Sequence, residues 1–162
     1  MARARAPFCS TSRRDIADHI KDSVVRYLAK KVYSCYLEVG LIRRGRLRAD
    51  VLAFNMKREF TICEVKSCWA DFNTDTKWHK YLEHCNKMYV CVTEDLYNKK
   101  KKVFSAALKP AGVGLMTISD TRKVKVRINA KRNTAEIENA EWLLTKLAWC
   151  GGKNRASLRK GV

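Results

Sequence analysis

Three polar residues in the first half of the chain, Asp50, Glu64 and Lys66, have the types and the spacing to do chemistry together. Successive residues of a strand face opposite ways, so Glu64 and Lys66 of one predicted strand share a face. A β-hairpin whose loop is centred on Lys57 places Asp50 directly opposite Glu64, with their Cβ atoms about 4.5 to 5.5 Å apart. The spacing therefore predicts that two carboxylates and an ammonium converge.

Neighbouring carboxylates in an otherwise apolar strand pair predict a metal ion, because they repel each other unless a cation neutralises them. Oxygen ligands suit Mg²⁺, which keeps several waters and binds substrate phosphate. Such an ion can activate water and stabilise charge on a scissile phosphate. A Glu-x-Lys pair alone usually marks a solvated strand face, and here Asp50 and the apolar surroundings favour the metal site instead.

The elements that would position these residues follow from the hydrophobic pattern. Ser12 is suited to cap a helix whose apolar residues recur at helical spacing, and the apolar runs that follow predict strands. Up to residue 93 the predicted order is α, β, β, β, α, β, over the ranges 13–31, 32–39, 47–54, 60–66, 74–86 and 88–93.

The second half of the chain gives weaker signals. A basic turn at 98–102 leads into predicted strands at 114–118 and 123–128. A helix then follows over 134–149, which the glycine pair at 151–152 would end.

Domain organisation is simple, because no internal repeat and no Gly, Ser or Pro-rich linker divides the chain. We expect one domain over 1–152. The basic stretch 153–162 has no core-facing pattern and is expected to be a flexible tail.

The charge of the chain indicates an anionic partner. Lys and Arg number 34 against 16 Asp and Glu, which gives a formal net charge of +18. No apolar run approaches the ~18 residues of a membrane-spanning helix, and the Arg-rich start lacks the apolar stretch of a secretory signal. The seven cysteines form no C-x-x-C pair and fit a reducing compartment. These features favour a cytoplasmic protein that binds nucleic acid and no membrane.

Two short runs carry a family resemblance: Arg-Ala-Asp-Val-Leu-Ala at 48–53 and Glu-Val-Lys-Ser at 64–67 resemble the signature of the PD-(D/E)XK nuclease superfamily. The predicted element order matches the core of that fold. The resemblance thus implies an α/β, restriction-endonuclease-like αβββαβ core with a mixed central sheet flanked by helices. Over 45–92 the chain more narrowly resembles the MmcB DNA-repair family, through Asp71, Phe72, Asp75, Lys77, Trp78, Tyr81 and Cys85.

The resemblance implies a metal-dependent DNA endonuclease that hydrolyses phosphodiester bonds in DNA repair, recombination or phage DNA metabolism. Asp50, Glu64 and the carbonyl of Val65 would bind Mg²⁺, with Mn²⁺ as a substitute, and Lys66 would orient or deprotonate the attacking water. The superfamily proline before the first Asp is Ala49 here, which leaves the ligands intact. Many relatives add an upstream acid, for which Glu38 is the candidate, ahead of Asp15, Asp18 and Asp22.

The same resemblance leaves a homodimer open, because many relatives dimerise. It fits a location in the cytoplasm, of a bacterium or of the host of a phage.

Polar residues around the predicted site are candidates to bind the DNA backbone: Arg43, Arg44, Arg46, Arg48, Ser67 and Lys77. A charge run is usually solvated surface, but the sum of these charges suits electrostatic binding of phosphates without base recognition. Asp75 could line the site or cap the start of the predicted helix 74–86, and capping is favoured because acids near a helix N-terminus complement its dipole. Trp69 and Trp78 could stack on unpaired bases, although tryptophan is more often a core residue.

Two other classes of protein remain open from the sequence. A non-catalytic module on the same fold would bind nucleic acid without turnover. A basic RNA-binding protein would use the three central polar residues as a structural salt bridge.

A zinc site built from His79, His84 and Cys85 with Cys63 or Cys68 is disfavoured. The spacing fits no known zinc knuckle, and the two histidines lie on different helix faces.

Overall fold

The computed structural model describes residues 12–158. These residues form four α-helices, which are α1 (Arg13–Ala29), α2 (Trp69–Asn73), α3 (Glu94–Leu108) and α4 (Ala140–Leu158), and one 3-10 helix (Trp78–His84). The six strands are β1 (Ser34–Gly40), β2 (Arg48–Phe54), β3 (Phe60–Val65), β4 (Lys87–Thr93), β5 (Gly114–Ile118) and β6 (Val124–Ile128).

The strands form one mixed sheet in chain order, β1 to β6. The β1–β2, β2–β3 and β5–β6 pairs are antiparallel, whereas β3–β4 and β4–β5 are parallel. The predicted αβββαβ order, the mixed sheet and the flanking helices are confirmed. Both parallel pairs are joined by helical segments, as parallel connections require.

Helices cover both faces of the sheet. Ile20, Val24 and Leu28 of α1 pack on one face, together with a cluster of strand residues. On the opposite face α3, α4 and the 3-10 helix enclose the larger core. The sheet is therefore buried between two helical layers, which explains why all six residues of β3 are buried.

The β2–β3 hairpin positions the predicted site. Its register pairs Val51 with Cys63 and Phe54 with Phe60, and one further step places Asp50 across from Glu64. The polar loop is closed by the side chain of Asn55, which accepts hydrogen bonds from the backbone N–H groups of Lys57 and Glu59. The register inferred from the sequence is confirmed.

The start of α1 is also confirmed. The Ser12 hydroxyl accepts a hydrogen bond from the backbone N–H of Asp15, and the Asp15 carboxylate accepts one from the Ser12 backbone. This reciprocal capping box satisfies two of the amide donors that a helix leaves free at its start.

The predicted basic turn at 98–102 is replaced by helix α3, which is kinked at Lys100, where the backbone is non-helical with φ −130° and ψ 20°. Thr93 caps this helix by accepting a hydrogen bond from the Leu96 N–H. Tyr97, Phe104 and Leu108 are buried on one face. Lys99, Lys101 and Lys102 are exposed, whereas Lys100 at the kink is half-buried with its Nζ over the Trp69 ring. Most of the charge run is therefore the solvated side of a helix.

The predicted helix over 74–86 is replaced by the short α2 and, after a break, the 3-10 helix Trp78–His84. The last helix begins at Ala140 rather than at residue 134. Asn133 explains the late start: its side chain donates to the Leu82 carbonyl and accepts from the Ala135 N–H. These bonds hold the preceding segment against the 3-10 helix.

The glycine pair at 151–152 does not end α4, which continues to Leu158. A helical glycine costs only roughly 0.5–1 kcal/mol relative to alanine, too little to end a helix. The Arg-rich start through residue 11 and residues 159–162 of the predicted tail lie outside the described residues. Within 12–158, no helix combines the length and the hydropathy needed to cross a membrane.

Candidate active site

Three acidic residues lie side by side across the first three strands. The β1–β2 register sets Glu38 against Asp50, and the β2–β3 register sets Asp50 against Glu64. Glu38 has a positive φ of 53°, a conformation that is unusual for a residue other than glycine and interrupts the regular pairing of β1. The sheet therefore brings the predicted acids Glu38, Asp50 and Glu64 into one row.

Asp50 is held by the backbone of the neighbouring strand. Its Oδ2 accepts a hydrogen bond of 2.8 Å from the Val65 N–H. Its Oδ1 lies 4.0 Å from Nζ of Lys21 on α1. Burial raises the pKa of Asp50, while the Val65 N–H and Lys21 oppose that shift.

Glu38 and Glu64 each have a buried Oε2 without a hydrogen bond among the described residues, but only that of Glu38 has a cation, Arg48, in contact. The Glu64 side chain is 9% exposed, and its Oε1 accepts a hydrogen bond of 3.2 Å from Lys66 Nζ. Burial, followed by the nearby charge of Asp50, raises the pKa of Glu64 to about 7. A buried acceptor without a donor is costly, so this oxygen is suited to a cation.

Lys66 lies between two carboxylates. Its N–H donates to the Cys91 carbonyl at 3.0 Å, which extends the β3–β4 pairing by one residue. Its Nζ donates to Glu64 and to Asp75. Burial alone would lower the pKa of Lys66, but the charges of Glu64 and Asp75 outweigh it and raise the pKa. Lys66 is therefore an ammonium in this arrangement.

Asp75 is a site residue to which the sequence interpretation gave the wrong role, since capping a helix was favoured over lining the site. Its Oδ1 accepts a hydrogen bond of 2.7 Å from the Lys77 N–H, and its Oδ2 accepts from Lys66. No helix begins directly after Asp75, because the 3-10 helix starts at Trp78. The folding of 74–77 back over β3 produces this contact, and no periodicity in the sequence indicates it.

Glu38 connects the acidic row to α1 and β2. It forms ion pairs with Lys21 and with Arg48, whose Nη2 lies 2.9 Å from Glu38 Oε2. Lys21 was not a predicted site residue.

Two of the weaker candidates for the upstream acid act elsewhere. Asp15 belongs to the capping box of α1. Asp22 pairs with Arg122 at 3.2 Å.

Asp50, Glu64 and Asp75 line a cavity of about 380 Å³ that is also lined by basic residues, whereas Glu38 does not line it. Of the predicted DNA contacts, Arg46, Arg48 and Lys77 line it. Tyr81 lies at its wall, where its hydroxyl donates to the Arg48 carbonyl at 3.1 Å. The cavity thus joins three carboxylates, those of Asp50, Glu64 and Asp75, to cations that could hold a phosphate.

The other predicted DNA contacts do not line this cavity. Arg43 and Arg44 are exposed in the β1–β2 loop. Ser67 donates its hydroxyl hydrogen to Asp71 at the start of α2.

Both tryptophans near the site belong to the core rather than to a stacking surface. Trp78 is buried, and Trp69 packs against Phe72 and Phe104.

Comparison with known proteins decides the family. A family model described as DNA repair protein MmcB-like matches residues 4–148, which include every strand and the cavity described above. The chain belongs to the MmcB-like family. This match confirms the narrower resemblance and extends it from 45–92 to most of the chain. Membership in the MmcB-like family assigns the chain a role related to DNA repair and DNA as its partner.

One solved structure is similar to this MmcB-like chain over nearly its whole length. It is the SPO1766 protein of unknown function from Silicibacter pomeroyi, with a TM-score of 0.71 and 27% sequence identity. The similarity covers 90% of this chain and 94% of that one. No curated protein is significantly similar to the chain.

Proposed function

We propose that this MmcB-like protein is a metal-dependent deoxyribonuclease that hydrolyses phosphodiester bonds in DNA repair. The observation that carries the proposal is the unpartnered, buried Oε2 of Glu64 beside a second, half-buried carboxylate, that of Asp50. An acidic pair of this kind in a chain of net charge +18 is unexpected unless it binds a cation. The DNA-repair family supports the choice of DNA as the substrate.

The residues fit a hard divalent cation. Asp50 and Glu64 supply carboxylate oxygens, and the carbonyl of Val65 would add a third oxygen, a set that suits Mg²⁺ with Mn²⁺ as a substitute. The raised pKa values of both acids have the same cause, which is burial without enough compensating charge. When bound, the ion would activate water and neutralise charge on the scissile phosphate.

Lys66 orients the attacking water or the scissile phosphate as an ammonium. With hydrogen bonds to two carboxylates it has no free electron pair, so orientation fits better than proton abstraction. Asp75 acts on this reaction through Lys66 and is a positioning residue. Its second oxygen is fixed by the Lys77 backbone, which limits the positions available to the ammonium.

DNA binding rests on cations at the cavity rim. Arg46, Arg48 and Lys77 line the same cavity as the acids and can contact phosphates on either side of the scissile bond. Contacts of this kind position the backbone and carry no base specificity. Arg43 and Arg44, exposed in the adjoining loop, would extend the electrostatic surface.

One observation favours a second candidate function, DNA binding without turnover. As whole residues, Glu64 and Lys66 are only 7% and 6% exposed. Lys66 already contacts two carboxylates. A protein that kept this fold for binding alone could retain such an internal ion pair. Catalysis requires that metal and substrate reach Glu64 and Lys66. Metal-dependent cleavage therefore distinguishes the two functions.

Cleavage assays separate the two functions. Wild-type protein, Lys66→Ala and the exposed-residue control Lys57→Ala would be incubated with supercoiled, linear, single-stranded and branched DNA, with Mg²⁺, Mn²⁺ or chelator. The nuclease proposal expects metal-dependent cleavage by wild type and Lys57→Ala, and only residual cleavage by Lys66→Ala despite retained binding. Tight, salt-sensitive binding without cleavage under every condition would establish the binding module instead.

A further inference from the structure

A second cavity, of about 440 Å³, adjoins the first and shares Arg46 and Lys77 with it. The end of the 3-10 helix and the segment before α4 supply three of its lining residues, Glu83, His84 and Glu138. One potential metal-binding atom from each of these three residues lies within 4.8 Å of the others. These three residues lie outside the proposed catalytic site.

His84 is prepared to act as a ligand. It is 3% exposed, yet it lines the cavity. Its Nδ1 lies 3.5 Å from the Glu138 carbonyl oxygen. In the tautomer with the proton on Nδ1, this nitrogen can donate to that carbonyl and Nε2 carries a free electron pair. A histidine that binds a metal usually has its other ring nitrogen held by a backbone carbonyl or carboxylate in this way.

Glu83 and Glu138 are exposed, so each carboxylate is open to a cation from solution. Neither Glu83 nor Glu138 forms an ion pair with a described residue, although the chain has 34 Lys and Arg. Their backbones are joined, since the Glu138 N–H donates to the Glu83 carbonyl at 3.1 Å. This bond keeps two like charges near each other, an arrangement that a cation would relieve.

We propose that Glu83, His84 and Glu138 bind one divalent transition-metal ion of the Zn²⁺ class, with water completing the coordination. One imidazole nitrogen and two carboxylate oxygens match the chemistry of such ions, whereas the all-oxygen set at Asp50 and Glu64 suits Mg²⁺. The ion cross-links the 3-10 helix to the segment before α4. The bound ion also neutralises the charges of Glu83 and Glu138, which lie beside the cavity that would receive DNA.

Basic residues oppose this ion. Arg46, Lys77 and Lys80 line the same cavity, and their positive charge lowers the affinity for any cation. We therefore expect weaker binding than at a closed structural zinc site, and removal of the ion by chelator without global unfolding.

The test uses the full chain with Glu64→Gln, which removes the proposed Mg²⁺ site and leaves the second cavity intact. Zn²⁺ binding by equilibrium dialysis and the Tm with and without Zn²⁺ would be measured in this background. We expect one equivalent of Zn²⁺ and a higher Tm. Adding Glu83→Gln and Glu138→Gln together should abolish both effects, whereas Glu136→Gln, a nearby exposed control, should not.

Two results would overturn the proposal: no Zn²⁺ uptake in the Glu64→Gln protein, or uptake that persists when both carboxylates are replaced. His84→Asn is a second probe, but His84 is buried and its replacement could prevent folding. In that case the variant with Glu83→Gln and Glu138→Gln decides the test. Because uptake is measured without DNA and without the Mg²⁺ site, its outcome is independent of whether the protein cleaves DNA.

Discussion

Lys66 and Asp75 form an ion pair whose side chains are only 8% and 12% exposed. Asp75 is itself anchored by the Lys77 N–H, and Lys66 also contacts Glu64. A series of contacts therefore connects Lys77, at the cavity, to the proposed metal ligand Glu64. Water screens such a pair poorly, so its geometry constrains the ammonium more than a surface pair would.

Asp75→Asn should lower the rate of DNA cleavage about 10- to 100-fold, the usual effect of losing a partner that orients a site residue. DNA affinity should be unchanged, because the amide oxygen of the introduced asparagine would still accept from the Lys77 N–H. The measurements are single-turnover cleavage rates and DNA dissociation constants.

A double-mutant cycle separates positioning from a general loss of structure. Asp75→Asn should slow the wild type but have little further effect on a Lys66→Met protein, because the residue that Asp75 positions is already gone. Asp95→Asn, which breaks an exposed pair with Lys99, is the matched control. Equal effects of Asp75→Asn in both backgrounds would contradict the positioning role.

The sequence predicted the sheet and the acidic row because both depend on local rules. The polar loop between β2 and β3 sets the hairpin register, and strand alternation then places Asp50 opposite Glu64. Asp75 and Lys21 could not be predicted in this way. Their contacts depend on how 74–77 and α1 pack against the sheet, which neither spacing nor periodicity specifies.

Helix α3 shows a different limit of sequence interpretation. Its cap is Thr93 and its buried face is formed by Tyr97, Phe104 and Leu108, but the lysines between these residues dominate the local composition. The core-facing residues determine the structure because their burial outweighs the weak preferences of an exposed charged run.

Glu64 should make the metal-free protein less stable as the pH rises. Its pKa is about 7 in the folded state and about 4.5 when unfolded, so between these values the folded protein binds more protons. Stability is then highest below the unfolded pKa and is lost as the pH rises through the folded pKa. Glu64→Gln should raise the free energy of unfolding near neutral to mildly alkaline pH by on the order of 1–3 kcal/mol.

Urea unfolding of both proteins with chelator, from about pH 5 to about pH 8, measures this effect. Glu64→Gln should flatten the pH dependence and leave the smaller part that Asp50 contributes in the same direction. Addition of Mg²⁺ should stabilise only the wild type. A steeper pH dependence in the variant would show that burial does not penalise the charged form of Glu64.

The cavity-lining cations should account for the salt dependence of DNA binding. Arg46→Ala with Lys77→Ala should weaken binding to all sequences alike and reduce the slope of log K against log salt by roughly 0.9 for each duplex phosphate that the variant no longer neutralises. Lys109→Ala, at the end of α3, is the exposed control. Fluorescence anisotropy over a range of salt concentrations gives the slope, and an unchanged slope would place the DNA elsewhere on the surface.

Lys21 should weaken the binding of Mg²⁺ to the proposed site. Its ammonium pairs with Glu38 and lies 4.0 Å from Asp50 Oδ1, where it already neutralises part of the acidic row. Lys21→Met removes that charge and keeps most of the apolar stem that packs against the sheet. The Mg²⁺ concentration for half-maximal cleavage should therefore fall several-fold, with the same direction seen in Mg²⁺-dependent Tm. Lys30→Met, exposed at the end of α1, should change neither quantity. A higher Mg²⁺ requirement in Lys21→Met would show instead that Lys21 holds Glu38 and Asp50 in the geometry that the metal needs.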